Sequence, residues 1–217
     1  MTNDVIDAVF SILKQEVPKF QEPIVGRVAR DNDPFKILIS TMLSLRTKDV
    51  TTDQACSRLF AIAPTPEKLA DLPLDTIEAA IFPVGFYKTK AKNIRETSQI
   101  LLEKYNGKVP SDMDALLDLP GVGRKTANLV IILGFDNMGL CVDTHVHRIT
   151  NRWGYISTKT PEETEMKLRQ ILPEKYWKDI NNYLVPYGQY LCVPISPFCS
   201  RCRLIPYCER RGVKSSR

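Results

Sequence analysis

The chain has 217 residues, of which 43% are hydrophobic, so it is long enough to bury one substantial core or two modest ones. It carries 30 Lys and Arg residues against 25 Asp and Glu residues, and the net charge of +5 permits a polyanionic partner without requiring one. No apolar run approaches the ~20 residues that cross a membrane, and the first residues lack a basic, apolar leader. These features exclude a disordered chain and predict a globular protein of the cytoplasm with no membrane partner.

Helical periodicity runs through nearly the whole chain. Apolar residues recur at helical spacing within residues 5–13, 37–43 and 94–102. Turn signals separate these stripes. Helix starts are predicted at Pro34, at Thr65-Pro66-Glu67 and at Pro73-Leu74-Asp75, and a helix end is predicted at Asn106-Gly107, after Tyr105. No segment has convincing strand alternation, so the sequence predicts an all-α fold.

A glycine-containing loop lies between two predicted helices. Ser111 is the expected N-cap of the first helix, with Asp114 as its reciprocal partner. The loop Leu119-Pro120-Gly121-Val122-Gly123 follows, and the second helix begins at Arg124. Gly123 lets a ligand approach the backbone closely, and the amides and dipole of the second helix suit a phosphate. By itself a Gly-x-Gly pattern is also typical of an ordinary corner between helices.

The residues around this loop carry a family resemblance. The segment from Leu119 to Ala127 matches, residue for residue, the helix-hairpin-helix of the endonuclease III family of DNA glycosylases, and Val142-Asp143-Thr144-His145 resembles the second signature of that family. The resemblance implies that Lys125 is the nucleophilic amine and Asp143 the catalytic carboxylate, facing each other across a DNA-binding groove. Taken singly, Lys125 also fits a solvated helix lysine, and Asp143 fits the N-cap of a helix beginning near Thr144.

The chemistry of base removal suits these two residue types. Release of a base leaves the anomeric carbon of the sugar electron-poor, and an amine that attacks this carbon can form a Schiff base, which a hydroxyl cannot. An ionised carboxylate would stabilise the cationic sugar in the transition state or help to move protons from the attacking amine.

Four cysteines lie close together near the end of the chain. Cys192, Cys199, Cys202 and Cys208 are separated by six, two and five residues. Disulfides are disfavoured in a reducing compartment, and a structural zinc site would usually pair two Cys-x-x-Cys knuckles, of which this segment has one. The spacing alone favours an iron-sulfur cluster over zinc without excluding zinc.

The same spacing resembles the 4Fe-4S loop of the endonuclease III family, which implies a cluster ligated by all four cysteines. Arginines surround these residues and fit either phosphate contacts or a solubilising tail: Arg201, Arg203, Arg210 and Arg211. Residues 193–198 contain no Lys or Arg, which departs from many members of the family. The other two cysteines, Cys56 and Cys141, have apolar neighbours and are predicted to be core residues.

Further residues are candidates for contact with DNA. The segment 42–49 resembles a Leu-Ser-x-Gln-x-x-Asp stretch of the family, but Arg46 stands where glutamine is usual. Arg46 is expected to fill the gap left by an extruded base, and Phe86 to wedge between base pairs, although each also fits a surface or core position. His145 is expected to donate a hydrogen bond to DNA rather than to bind a metal with His147. Three lysines, which fit phosphate contacts or a solvated helix face, follow Phe86: Lys88, Lys90 and Lys92.

The resemblance covers almost the whole chain and implies a two-domain, all-helical glycosylase. Residues 26–137 are expected to form a six-helix domain with the hairpin, and residues 1–25 and 138–217 a discontinuous domain around the cluster. The implied activity is that of a monomeric, nucleoid-associated DNA glycosylase and abasic-site lyase, which removes oxidised pyrimidines from damaged duplex DNA and nicks it by β-elimination. The alternatives are a mismatch-specific thymine or uracil glycosylase, an adenine glycosylase, and a non-catalytic DNA-binding module.

Overall fold

The computed structural model describes residues 3–20, 24–29 and 32–217, apart from the side chains of residues 24, 27 and 29. The described residues form α-helices and short 3-10 turns with no strand, which confirms the predicted all-α class. The α-helices, in chain order, are α1 Ile6–Glu16, α2 Ile24–Ala29, α3 Pro34–Ser44, α4 Asp49–Ile62, α5 Pro66–Asp71, α6 Leu74–Ile81, α7 Tyr87–Tyr105, α8 Met113–Leu117, α9 Arg124–Phe135, α10 Thr144–Arg152, α11 Pro161–Ile171 and α12 Ile180–Tyr190.

The chain divides into two compact units. The terminal unit consists of Met1–Glu22 together with Met138–Arg217, and the central unit consists of Pro23–Asn137. The hairpin lies in the central unit, and the four clustered cysteines lie in the terminal unit. In the part of the chain that the structure describes, no helix has the length and apolar character needed to cross a bilayer.

The central unit is built around α3, which is buried over most of its length. Asp33 caps this helix by accepting hydrogen bonds from the backbone N–H groups of Phe35 at 3.0 Å and Lys36 at 3.3 Å. Pro34 occupies its first turn, where a missing N–H costs little. The α3 helix packs against α9 and α4, and its aliphatic side chains join one large apolar core. This core supports the C-terminal end of α3, which precedes Arg46, and the start of α9, which carries Arg124 and Lys125.

The predicted helix boundaries are mostly confirmed. Thr65 caps α5, Pro73 precedes α6, and Asn106 ends α7 in the left-handed conformation. The expected cap at Ser111 is wrong. Asp112 caps α8 instead, because its carboxylate lies three residues before Ala115 and accepts the backbone N–H of that residue at 3.0 Å.

The terminal unit combines α1 with α10, α11 and α12. Its core contains more aromatic side chains than that of the central unit, including Trp153 and Tyr187, and the ring of Phe10 stacks on Tyr176 with centroids 3.8 Å apart. Cys192, Cys202 and Cys208 pack against this core as partly buried residues. Cys56 in the central unit and Cys141 in the terminal unit are fully buried, as the sequence predicted.

Candidate functional site

The predicted hairpin joins α8 to α9 through two glycines with different roles. Gly121 adopts φ +76°, and an added Cβ there would lie 2.5 Å from Nδ2 of Asn93, so both the conformation and the space favour glycine. Gly123 is the N-cap of α9, and an added Cβ there would meet no atom within 4 Å. The side chain of Thr97 donates to the carbonyl of Pro120 at 3.3 Å and ties the loop to α7. The loop is therefore braced at Gly121 and open at Gly123.

The first turn of α9 has an unusual charge pattern. It contains no acidic residue, and Gly123 supplies no side-chain cap. Its first two residues are Arg124 and Lys125, both half-buried. Cations at the positive end of a helix dipole oppose the usual preference for acidic residues there. This helix start is therefore suited to attract an anion.

Asp143 lies in the terminal unit as the N-cap of α10. Its Oδ1 accepts the backbone N–H groups of His145 at 2.8 Å and Val146 at 2.9 Å, and its side chain is 8% exposed. The capping interpretation of Asp143 is therefore correct. Both capping bonds use Oδ1, so capping does not engage the second carboxylate oxygen. Lys125 and Asp143 belong to different units, and each is positioned by the helix that it opens.

The two histidines of α10 have separate surroundings. Nδ1 of His145 lies 3.0 Å from Nη2 of Arg148, whereas Nδ1 of His147 lies 2.7 Å from Oγ1 of Thr164. Burial lowers the pKa of His147 below its usual value. Arg148 also donates to the carbonyl of Cys192 at 2.9 Å. The α10 helix therefore connects the segment after Asp143 with the first clustered cysteine.

The four clustered cysteines are free thiols that influence one another electrostatically. Burial and the nearby Cys192, Cys202 and Cys199 together raise the pKa of Cys208 to about 11, although a backbone hydrogen bond from Arg210 opposes the rise. Among the described residues, no group of three or more His, Cys, Asp or Glu side chains could hold a single metal ion. The four thiols are therefore close enough to influence one another.

Polar groups of the terminal unit surround the cysteine sulfurs. Nη1 of Arg152 donates to Sγ of Cys192 at 3.3 Å, and the hydroxyl of Tyr187 lies 3.1 Å from Sγ of Cys202. Burial raises the pKa of Cys202, and hydrogen bonds from the Tyr187 hydroxyl and the backbone of Leu204 oppose that rise. Donors aimed at sulfur favour the thiolate, which is the form that ligates zinc or iron. The donor set thus fits a thiolate-bound group.

Arginines from elsewhere in the chain hold the loop that follows Cys192. The side chain of Arg152 is 8% exposed and donates to the carbonyls of Val193 at 2.8 Å and Pro194 at 2.6 Å. The guanidinium groups of Arg201 and Arg217 lie 5.6 and 3.9 Å from the ring centroid of Phe198. The sequence pattern showed that residues 193–198 lack basic residues, but it could not show that three arginines contact this loop.

The two expected duplex-inserting residues lie side by side in the central unit. Arg46 has φ 53° and Phe86 has φ 59°, both in the left-handed region that non-glycine residues rarely occupy. The guanidinium of Arg46 lies 5.7 Å from the ring centroid of Phe86, and the Phe86 side chain is 64% exposed. An exposed aromatic ring in a strained conformation is typical of a functional position. The interpretation of Phe86 as a core aromatic is wrong.

The three lysines that follow Phe86 differ in their surroundings. Lys88 and Lys92 are exposed, as expected for a solvated or phosphate-contacting helix face. Lys90 is 9% exposed, and Nζ donates to the carbonyls of Leu43 and Leu45. Burial lowers its pKa to about 8. The expectation that Lys90 lies on the surface is wrong, because residues two apart on a helix point in different directions.

Comparison with known proteins places the chain in a family. Residues 39–174 match the HhH-GPD superfamily of base excision DNA repair proteins. The chain is 48% identical to Endonuclease III of Thermotoga maritima over 202 residues, which cover 90% of this chain and 95% of that protein. It is 38% identical to Endonuclease III of Escherichia coli K12 over 82% of this chain and 84% of that protein.

A solved structure gives the same result. The structure described as a non-covalent Endonuclease III-DNA complex matches with a TM-score of 0.87 and 34% identity, covering 97% of this chain and 96% of that one. The fold and the hairpin therefore define a base excision DNA repair protein of the helix-hairpin-helix class. Within that class, the chain belongs to the endonuclease III family. It is an enzyme, a DNA glycosylase and abasic-site lyase.

Proposed function

We propose that this enzyme removes oxidised pyrimidines such as thymine glycol from double-stranded DNA and then cuts the strand through a Schiff base on Lys125. The observation that carries the proposal is the start of α9. A glycine-rich loop, a helix N-terminus without acidic residues and the Lys125 amine occur within one turn. A helix start of this kind suits a phosphate of the DNA backbone and brings the amine close to a bound sugar.

The proposed reaction begins when the neutral amine of Lys125 attacks the anomeric carbon of the damaged nucleoside. The bond from this carbon to the base breaks, and the base leaves with the electron pair and acquires a proton. Opening of the sugar ring then gives a protonated imine between Lys125 and the carbon chain. Loss of the adjacent C2′ proton expels the 3′ phosphate by β-elimination, and water finally hydrolyses the imine to regenerate the amine.

Asp143 is the proposed carboxylate partner in this reaction. Its buried position and its two backbone hydrogen bonds fix the direction of the carboxylate. A fixed negative charge stabilises positive charge that develops on the sugar ring, and it can accept a proton from the attacking amine. The charge therefore acts on the reaction, while the N-cap geometry holds it in place.

The proposed DNA contacts come from several elements. Gly121 and Gly123 shape the hairpin for a phosphate, and Arg124 and His145 supply further donors. Arg46 and Phe86 are the residues proposed to occupy the duplex after the damaged base leaves the stack. Extrusion of a base costs a few kcal/mol and leaves a gap that a side chain can fill.

The four cysteines are the proposed ligands of a 4Fe-4S cluster. The chemistry of the donor set supports this assignment, since four free thiols have N–H and O–H donors directed at the sulfurs. When bound, such a cluster supplies cross-links that hold the loop between the cysteines. We propose no role for it in base removal. The arginines brought onto residues 193–198 are proposed to present this loop to DNA.

Other properties remain predictions. These are a monomeric state, action on nucleoid DNA in the cytoplasm, and a domain boundary near residue 26 with a second near residue 137.

Borohydride trapping tests the proposed activity directly. The wild type is incubated with duplexes that contain thymine glycol or a preformed abasic site, and borohydride reduces any imine to a stable amine cross-link. We expect a covalent adduct on both duplexes with the wild type and none with Lys125→Ala. The exposed Lys104 of α7 provides a matched control, and Lys104→Ala should trap normally.

Three other results would contradict the proposal in different ways. Base release without an adduct would show a monofunctional enzyme and leave Lys125 with another role. Activity confined to mismatched duplexes would favour a thymine or uracil glycosylase, for which the substitution of Arg46 for the usual glutamine is the supporting observation. Binding without base release or strand cleavage on any duplex would indicate a DNA-binding module.

A further inference from the structure

Two turns of the central unit meet beneath the exposed ring of Phe86. Residues 44–47 and 84–87 each form a turn in which the N–H of the last residue donates to the carbonyl of the first at 3.1 Å. The N–H of Gly85 donates to Oγ1 of Thr47 at 3.2 Å. An added Cβ on Gly85 would lie 2.7 Å from the carbonyl oxygen of Arg46. The two turns therefore touch directly, and only glycine fits at that point.

Lys90 fastens the first of these turns from inside the protein. Its Nζ donates to the carbonyl of Leu43 at 2.7 Å, to the carbonyl of Leu45, and to Oγ1 of Thr47 at 3.2 Å. An ammonium group has three N–H donors, and here each has an oxygen acceptor. All three acceptors lie within five residues of one another and flank Arg46. Because the same Thr47 hydroxyl also accepts from Gly85, Lys90 is connected to both turns.

The cost of this arrangement argues against a purely structural lysine. Burial of a charged side chain is expensive even when its hydrogen bonds are satisfied, and an apolar side chain of similar size often gives equal or greater stability. In addition, Arg46 and Phe86 both adopt left-handed backbone conformations, which persist only where the surrounding structure imposes them. The three hydrogen bonds of Lys90 hold the segment around Arg46 and so impose the left-handed backbone conformation of that residue.

We infer that Lys90 is a positioning residue, which holds the 43–47 segment against the 84–87 turn so that Arg46 and Phe86 enter the duplex as one unit. Lys90 itself does not touch DNA. It acts through the geometry of the two exposed side chains, and so it sets how well the enzyme opens the base stack. The inference rests on the proposed function in one respect, namely that Arg46 and Phe86 enter DNA.

A fluorescent duplex measures this step without catalysis. The probe is a duplex with a tetrahydrofuran abasic analogue, which cannot form an imine, opposite 2-aminopurine, whose fluorescence rises when the base unstacks. With the wild type we expect a large rise in fluorescence on binding. With Lys90→Met we expect the equilibrium constant for unstacking to fall about tenfold or more, because hydrogen bonds to a charged group are lost. Affinity for undamaged duplex should change less than about twofold, since phosphate contacts dominate it. Lys104→Met should behave as the wild type.

A double-mutant cycle separates positioning from a general structural role. In a protein that carries Arg46→Ala and Phe86→Ala, Lys90→Met should cause no further loss of unstacking, because the residues through which it acts are gone. A further loss of similar size in that background would overturn the inference, and so would wild-type fluorescence in the single variant. If Lys90→Met does not fold, Thr47→Val takes its place. Thr47→Val should reduce unstacking by a smaller factor in the wild-type background and should not reduce it further in the double variant.

The same samples distinguish this inference from the proposed function. A wild type that unstacks the probe in a manner dependent on Lys90, but releases no base from any lesion, would overturn the proposed activity and support the role of Lys90. A wild type that releases base while Lys90→Met unstacks the probe normally would overturn only the inference. A wild type that produces no unstacking would also overturn it.

Discussion

The two units of this enzyme are stabilised in different ways. The central unit has a continuous core of aliphatic side chains, with α3 buried in its middle and capped by Asp33. The terminal unit has a smaller core with more aromatic rings, and it also buries Arg152, whose donors hold the backbone after Cys192. Apolar packing needs no added component. The loop after Cys192 is held instead by hydrogen bonds from buried Arg152, and its cysteines are the proposed ligands of a bound group.

Because of this difference, the candidate functional residues of the two units are held in position by different interactions. In the central unit, Lys125, Arg46 and Phe86 are positioned by helix ends and turns that the apolar core supports. In the terminal unit, Asp143 opens the helix that carries Arg148 and Arg152, and both of these arginines contact Cys192. Disruption of the cysteine loop should therefore disturb α10 and the position of Asp143 at its start, whereas the hairpin should remain folded.

The largest expected effect follows from loss of one proposed ligand. Cys202→Ala should abolish the broad visible absorbance of an iron-sulfur protein and unfold much of the terminal unit, because binding free energy of such a group is also folding free energy. Hydrogen exchange should show loss of protection in residues 138–217 and retained protection in the central unit. Cys141→Ala, at a buried cysteine of the same unit, should keep the absorbance. A colourless wild type that contains zinc would contradict the assignment of the cluster.

The next effect concerns the carboxylate of Asp143. Asp143→Asn keeps a good N-cap but removes the charge, so we expect base release to slow about 1000-fold, equivalent to about 4 kcal/mol, with little change in thermal stability. Single-turnover kinetics and thermal unfolding test the two parts. Asp33→Asn, at the cap of α3, should leave base release unchanged. Full activity in Asp143→Asn would contradict the proposed catalytic role of Asp143 and leave it only the role of a cap.

A cavity in the apolar core should leave the cysteine loop intact. Leu59 is fully buried in the central unit, and Leu59→Ala should lower the free energy of unfolding by about 3 kcal/mol, since a cavity replaces its methyl groups. Urea denaturation measures the loss, and the visible absorbance of the folded protein should not change. Loss of that absorbance in the absence of urea would show that the cysteine loop depends on the core of the central unit, and it would contradict the proposed difference between the two units.

The smallest effect is the pH dependence contributed by Lys90. Burial lowers its pKa to about 8, whereas an unfolded lysine titrates near ~10.4, so the unfolded chain binds more protons between these values. The Lys90 contribution therefore raises the free energy of unfolding as pH increases from about 8 to about 10. Urea denaturation of the wild type and Lys90→Met at both pH values should show this rise only in the wild type. Parallel behaviour of the two proteins would mean that Lys90 titrates normally.

Much of the fold was determined by the sequence alone. The helical class, the starts of α3, α5 and α6, the end of α7 and the burial of Cys56 and Cys141 all follow from local signals, because caps, prolines and apolar periodicity act within a few residues. The hairpin was also recognisable, since its glycines, cations and neighbouring helices are contiguous. The predicted cap at Ser111 is one residue from the observed cap at Asp112, so such signals locate a helix start to within about one residue.

Only the tertiary structure decided the surroundings of individual side chains. Lys88 and Lys90 are the same residue type on the same helix, yet Lys90 is buried against the carbonyls of Leu43 and Leu45, 47 and 45 residues away, whereas Lys88 is exposed. Likewise, residues 193–198 lack basic side chains in sequence, but Arg152 and Arg217 reach them in space. Caps and turns depend on neighbours in the chain, so the sequence specifies them directly. Burial, charge pairing and hydrogen bonding depend on which distant segments meet, and that is settled when the helices pack.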